Sequence, residues 1–266
     1  RDLSTLDFPE HCLQAVTRLS ISRCSVTAVT FEDAAMLEGE ELEIVVGVAG
    51  ALSDRLQDLE SVTLGRDCFS KGEALYMSRN TSLISLAFGE NAFQKASTWK
   101  LALGDPSFLN RVSELRSLTF GGSNFIDMED VDFTAMPELT EIVCGEGCFH
   151  SGLTLICEVG VSMGVGVDLT KLRRLELGDF CFEKGRKIYL IMGVFYWREA
   201  NCGNLRQLRF GKKCFRAIDD EELTLAVGCD TGVRLDLPKL EALAIGDSSF
   251  SKLDRFVLLS ACDEAA

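Results

Sequence analysis

The chain has 266 residues, 47% apolar and 26% charged with only 4 prolines, the make-up of a core-forming protein rather than of a disordered or linker-rich one. Its 27 Lys and Arg against 41 Asp and Glu give a net charge of −14, which repels phosphate backbones and anionic membrane surfaces and argues against a general nucleic-acid binder. The longest apolar runs, around residues 42–52 and 188–197, are about ten residues long where a bilayer-spanning helix needs about 20, so no membrane span is expected.

The chain opens on Arg-Asp-Leu without Met or an apolar leader, as a fragment or a processed form would. Leu3, Leu6, Phe8, Cys12 and Leu13 outline a degenerate first copy of a string that becomes regular later, and residues 16–26 a fainter one. Residues 32–59, with Ala34, Met36, Leu37 and many acids, are the best helical candidate, although their 42–48 core is strand-like. From Leu59 onward the string is regular: Leu-x-x-Leu-x-(apolar)-Gly-x-x-(small)-Phe. It spans 59–69, 83–93, 115–125, 139–149, 172–182, 205–215 and 240–250, with a shorter version at 101–108. Seven copies cannot be chance.

The spacing between copies, about 15 to 35 residues, is that of solenoid coils with variable insertions. Apolar residues at the first, fourth and sixth positions alternate as a short strand with one buried face does. The Gly that follows permits either a positive φ or a close approach between coils, and the Phe plugs the interior. A second alternating pattern begins about six residues after each Phe: Leu75, Val131 and Phe133, Leu153 and Leu155, Ile188 and Leu190, Leu223 and Leu225, Phe256 and Leu258. The expected architecture is a β-rich solenoid of leucine-rich-repeat-like coils, with two short strands per coil and little helix. It forms a single domain over 1–266, with degenerate coils in 1–58, regular repeats in 59–250 and a C-terminal cap in 251–266.

The strings Phe88-Gly89 with Ala92-Phe93, Leu177-Gly178 with Cys181-Phe182, and Ile245-Gly246 with Ser249-Phe250 resemble the BspA-like leucine-rich repeats of bacterial and protist proteins. Those units carry Ile-Gly-x-x-Ala-Phe after a short strand, and the resemblance covers about residues 59–250. The chain departs from them in using Cys or Ser for Ala and in lacking the Ile-Pro turn. The resemblance implies a protein-binding or adhesive module and brings no catalytic residues with it.

The 11 cysteines include no Cys-x-x-Cys pair, and the histidines His11 and His150 stand alone in sequence, so no zinc site, and no cofactor, is expected. Five cysteines share one repeat column that wants a small apolar residue, which points to buried free thiols and towards a reducing compartment. The acidic runs 38–43, 127–132 and 219–222 read as solvated inter-strand segments, the middle one lacking the offsets of an EF-hand. With no phosphate-cradling Gly loop and no partnered base, the chain is expected not to be an enzyme.

Residues flanking the buried fourth position face outward. That column runs Ser61 and Thr63, Ser85 and Ala87, Lys100 and Ala102, Ser117 and Thr119, Glu141 and Val143, Arg174 and Glu176, Gln207 and Arg209, Ala242 and Ala244. With Arg116, Arg173 and Arg206 one position earlier, it places Arg173, Arg174, Arg206 and Arg209 on two adjacent coils, followed by Lys212 and Lys213. Such a patch either binds carboxylates or is neutralised by Glu141, Glu176 and Glu241. The apolar segment 188–197, ending at Tyr196 and Trp197, is either covered by the core or docks on a partner. The expected function is a non-enzymatic module whose sheet face binds an acidic segment of another protein, with no small-molecule ligand. The alternatives are a structural subunit of a larger assembly and an extracellular adhesin.

Overall fold

The computed structural model describes residues 4–22, 26–45, 59–78, 82–96, 98–102, 114–128, 130–132, 138–152, 154–159, 171–184, 187–192, 204–216 and 240–251. These form sixteen strands and no helix. In chain order the strands are β1 (Thr5–Phe8), β2 (Arg18–Ser22), β3 (Ala28–Phe31), β4 (Glu41–Val45), β5 (Ser61–Leu64), β6 (Ala74–Ser78), β7 (Ser85–Phe88) and β8 (Thr98–Ala102). There follow β9 (Ser117–Phe120), β10 (Asp130–Asp132), β11 (Glu141–Cys144), β12 (Thr154–Val159), β13 (Arg174–Leu177), β14 (Lys187–Met192), β15 (Gln207–Phe210) and β16 (Ala242–Ile245). The odd-numbered strands and β16 form one nine-stranded parallel sheet, β2-β4-β6-β8 a second sheet and β10-β12-β14 a third.

Each strand of the large sheet holds the third to sixth positions of one unit, so the apolar fourth and sixth positions point to one side; they are buried from β3 to β15, half-buried in β1 and exposed in β16. The register runs unbroken through Leu86, Leu118, Ile142, Leu175, Leu208 and Leu243. A slip by one residue would turn this row to solvent.

The turn after each strand is bonded between units as regularly as the sheet. The Gly121 N–H donates to the Phe88 carbonyl (2.6 Å) and Gly211 to Leu177 (2.7 Å); two residues on, Asn91 donates forward to Gly122 (2.8 Å) and Gly147 to Asp179 (2.8 Å). Phe125, Phe182 and Phe215 donate back to Phe93, Phe149 and Phe182 (3.1, 3.2 and 3.0 Å). The buried backbone groups of the bend are thereby satisfied without a strand.

Of the two roles open to the repeated Gly, close approach is the one used. A Cβ on Gly89 would lie 2.4 Å from the Gly65 carbonyl carbon, and one on Gly246 equally close to that of Gly211. Positive φ falls instead two and four positions later, at Asp67 (58°) and Phe69 (52°), Asn91 (58°) and Phe93 (53°), Lys213 (58°) and Phe215 (51°). A left-handed Phe costs about 1–2 kcal/mol. The rings offset this by stacking in a buried column: Phe69 on Phe93 at 5.0 Å, Phe93 on Phe125 at 5.9 Å, Phe149 on Phe182 at 5.3 Å and Phe182 on Phe215 at 5.2 Å between centroids.

Three sequence expectations are revised. In its described part the helical candidate gives turns at residues 33–38 and β4 at Glu41–Val45, because Ala35 and Met36 fill the small and Phe positions of a unit and β4 pairs with β2 and β6; residues 46–58 lie outside the described residues. That unit, Val26, Val29, Phe31, Ala35 and Met36, is hidden in the sequence because Val, Glu32 and Met replace Leu, Gly and Phe. The faint copy at 16–26 holds β2, Arg18–Ser22, of the second sheet; residues 23–25 lie outside the described residues. The short copy at 101–108 begins in β8, also of the second sheet, through Leu101 and Ala102; its remainder lies outside the described residues. The second pattern is placed for Leu75, Val131, Leu155, Ile188 and Leu190, which fall in β6, β10, β12 and β14. Phe133, Leu153, Leu223, Leu225, Phe256 and Leu258 lie outside the described residues.

Candidate interaction face

On the outward side of the large sheet the third positions align as Ser61, Ser85, Ser117, Glu141, Arg174, Gln207 and Ala242, and the fifth as Thr63, Ala87, Thr119, Val143, Glu176, Arg209 and Ala244. Lys100 and Ala102 leave this face, since β8 belongs to the second sheet. The arginines come together as the repeat requires: Arg174 on β13 is in register with Gln207 on β15, Arg209 with Glu176, and the Arg173 carbonyl accepts the Arg206 N–H at 2.8 Å.

They are not equivalent. Arg174 Nη2 lies 2.8 Å from Glu176 Oε2 and its Nη1 3.7 Å from Glu141 Oε2, while Ser117 Oγ donates to Glu141 Oε1 at 2.7 Å. The hydrogen bond to Glu176 pushes the Arg174 guanidinium still further towards its charged form. Arg206 Nη1 lies 2.8 Å from Glu241 Oε1. Arg116, Arg173 and Arg209 are exposed and form no ion pair among the described residues. The patch is therefore half neutralised, and Arg209 projects from the sheet between paired Glu176 and the methyl group of Ala244. At the following turn Lys213 lies over the Phe180 ring, 4.8 Å from its centroid, and the Lys212 N–H donates to Asp179 Oδ1 at 2.8 Å.

Ile188 to Met192 belong to β14, paired in parallel with β12; Tyr196 and Trp197 lie outside the described residues. Two acidic runs enter strands: Glu41 and Glu43 are in β4, Asp130 and Asp132 in β10, and Glu41 pairs with Arg18 at 2.7 Å. Residues 219–222 lie outside the described residues. The histidines do have neighbours, which the sequence did not reveal: His11 Nε2 is 3.1 Å from Glu10, and His150 Nδ1 is 3.5 Å from Glu183, which Arg216 approaches at 3.6 Å from the next unit.

The cysteine column does more than fill space. Cys68, Cys148, Cys181 and Cys214 donate their thiol protons to the carbonyls of Glu32, Gly121, Gly145 and Gly178 in the preceding unit, at 2.9, 2.7, 3.0 and 3.2 Å. Asn124 and Ser249 occupy the same position and donate likewise, to Gly89 at 2.8 Å and Gly211 at 2.6 Å. Cys12, Cys68, Cys148, Cys181 and Cys214 are free thiols. Burial pushes the Cys214 thiol up to about 12 and raises Cys68; the hydrogen bond with Cys148, then burial, pushes Cys181 well up. Protonated thiols of this kind are poor nucleophiles and keep the S–H that makes these bonds.

No helix among the described residues is long and apolar enough to cross a membrane. Compared with protein-family models, curated proteins and solved structures, the chain matches none.

Proposed function

We propose that the units stack as a single leucine-rich-repeat-like solenoid of the BspA-like kind, and that it works as a non-enzymatic interaction module. Its sheet face takes an acidic segment of another protein at the Arg173, Arg174, Arg206 and Arg209 patch, with Arg116 at its margin. The supporting observation is the exposed Arg209, which forms no ion pair among the described residues, on a chain of net charge −14. Arg guanidinium presents a planar fork that matches a carboxylate, so an uncommitted Arg on a flat sheet favours an acidic peptide over a neutral one.

The test is the binding of a fluorescein-labelled ten-residue oligoglutamate peptide, read by anisotropy. Binding that weakens with salt and falls at least about tenfold in Arg209→Glu supports the assignment, since reversing one interfacial charge costs more than 1.4 kcal/mol. Binding indifferent to both overturns it.

A further inference from the structure

The ninth position of each described unit, two residues past the Gly position, has a left-handed backbone. Most of its occupants tolerate this conformation or are small, as are Asp67 (φ 58°), Asn91 (58°), Ser123 (56°), Gly147 (72°) and Ser248 (61°). Phe180 (61°) is the bulkiest exception. The Phe residues at the eleventh position offset the same strain by stacking in the buried column, as Phe182 does on Phe215. Phe180 does not. Its ring is half-buried at the turn edge, and among the described residues the one ring contact it makes is with the Lys213 ammonium, 4.8 Å from its centroid.

On one side of Phe180 the column is open. Gly147 fills this position one unit back, and a Cβ added there would meet nothing nearer than Ser123 Oγ at 3.6 Å. On the other side lies the most basic of the regular units, 205–215, with Arg206, Arg209, Lys212 and Lys213 and no acid. The backbone ties Phe180 to it, since the Phe180 N–H donates to the Lys212 carbonyl at 2.8 Å. Arg206 is held by Glu241, whereas Arg209 on the sheet face and Lys212 past the bend are exposed and form no ion pair among the described residues. Three residues separate them, at most about 11 Å of chain.

We infer that the acidic segment taken by the sheet face carries an aromatic residue, which packs on Phe180 over Gly147 while neighbouring carboxylates reach Arg209 and Lys212. The inference rests on the reading of the arginine face as a site for an acidic segment and adds a second determinant to it. Charge complementarity selects the carboxylates. A ring is favoured over an aliphatic side chain because it gains both from the Phe180 ring and from the Lys213 ammonium beside it.

The test uses the whole chain and two forms of the ten-residue oligoglutamate peptide, one with Phe and one with Ser as the fifth residue, so that their charges are equal. The Phe form should bind at least about fivefold more tightly, the gain from one aromatic pair. In Phe180→Ser that advantage should vanish, and in Phe180→Tyr it should remain. Phe180→Ser should melt no lower than the native chain, since Ser123 and Ser248 hold the same conformation in other units. Equal binding of the two forms by the native chain overturns the proposal, and so does a Phe advantage that survives Phe180→Ser. A melting temperature far lower in Phe180→Ser overturns it too, by placing the ring in the core. Failure of the arginine reading shows separately, as a Ser form that does not bind in a salt-dependent way, and takes this inference with it.

Discussion

Arg174 and Glu176, two residues apart on the outer face of β13, hold each other at 2.8 Å, and Glu141 on β11 approaches the same guanidinium at 3.7 Å. The most basic stretch of the sheet thus contains its own competitor for any incoming carboxylate. Glu176→Gln should change stability by no more than about 1 kcal/mol, because the pair is partly exposed. It should strengthen oligoglutamate binding severalfold by releasing Arg174 and by removing the negative neighbour of Arg209. Urea titration and anisotropy on the same variant separate the two effects; weakened peptide binding with unchanged stability would mean that Glu176 is part of the receptor rather than a competitor.

The two kinds of Gly should respond differently to a methyl group. At Gly89 the added Cβ falls 2.4 Å from backbone, and Gly89→Ala should destabilise by about 1–3 kcal/mol or more through overpacking. Gly147 has φ 72° but nothing nearer than 3.6 Å, so Gly147→Ala should cost only the left-handed conformation, about 1–2 kcal/mol. Paired urea midpoints measure the difference, and equal losses would remove close approach as the reason for the Gly column.

The thiol column makes stability depend on alkaline pH. Cys214 titrates at about 12 in the folded chain against an ordinary 9.0, so its protonated form stabilises the fold fully below about pH 9 and that contribution is lost as pH rises towards 12. Urea midpoints of the native chain and Cys214→Ala should therefore converge between about pH 9 and 11. A constant gap across that range would mean that the thiol proton contributes nothing.

At Cys181 the hydroxyl of Cys181→Ser can keep the donor to the Gly145 carbonyl, while Cys181→Val leaves that carbonyl unpaired at a cost of about 1–3 kcal/mol. Thermal melts should place Ser above Val despite the greater hydrophobicity of Val. The reverse order would reduce the column to space filling.

Phe125 stacks on Phe93 at 5.9 Å and on Phe149 at 5.7 Å and is fully buried. Phe125→Ala should cost about 3–5 kcal/mol, enough to unfold a marginal chain, and a loss below about 1 kcal/mol would show that the ring column is not the core.

Much of this was readable because the unit is short and its columns are strict: Leu86, Phe88 and Phe93 announce a strand, a bend and a plug by spacing alone. The unit at Val26 to Met36 is hidden for the same reason, since Val for Leu, Glu32 for Gly and Met36 for Phe break the pattern while Val26, Val29, Phe31, Ala35 and Met36 stay buried. Lys100 and Ala102 were put on the wrong sheet because a strand alternates identically on either wall, and only pairing of β8 with β6 tells them apart. The thiol bonds were invisible in sequence. A column of Cys, Ala, Ser and Asn reads as small, and the property most of its members share, a side-chain donor aimed at the previous carbonyl, needs coordinates to be seen.

Each strand of the large sheet that is followed by one on another sheet begins thirteen residues before it, as at Thr5 and Arg18, Ser61 and Ala74, and Arg174 and Lys187, while the way back takes ten residues from Arg18 to Ala28 but twenty from Glu41 to Ser61. In the described units that carry both strands, one half keeps strict time and the other absorbs the change in length. Gene duplication, loss or grafting that respects the thirteen-residue half would leave the inter-unit bonds in place. A chain of this kind can therefore evolve, or be engineered, by whole units and by lengthening its return path, while a single-residue insertion in the strict half would disrupt it.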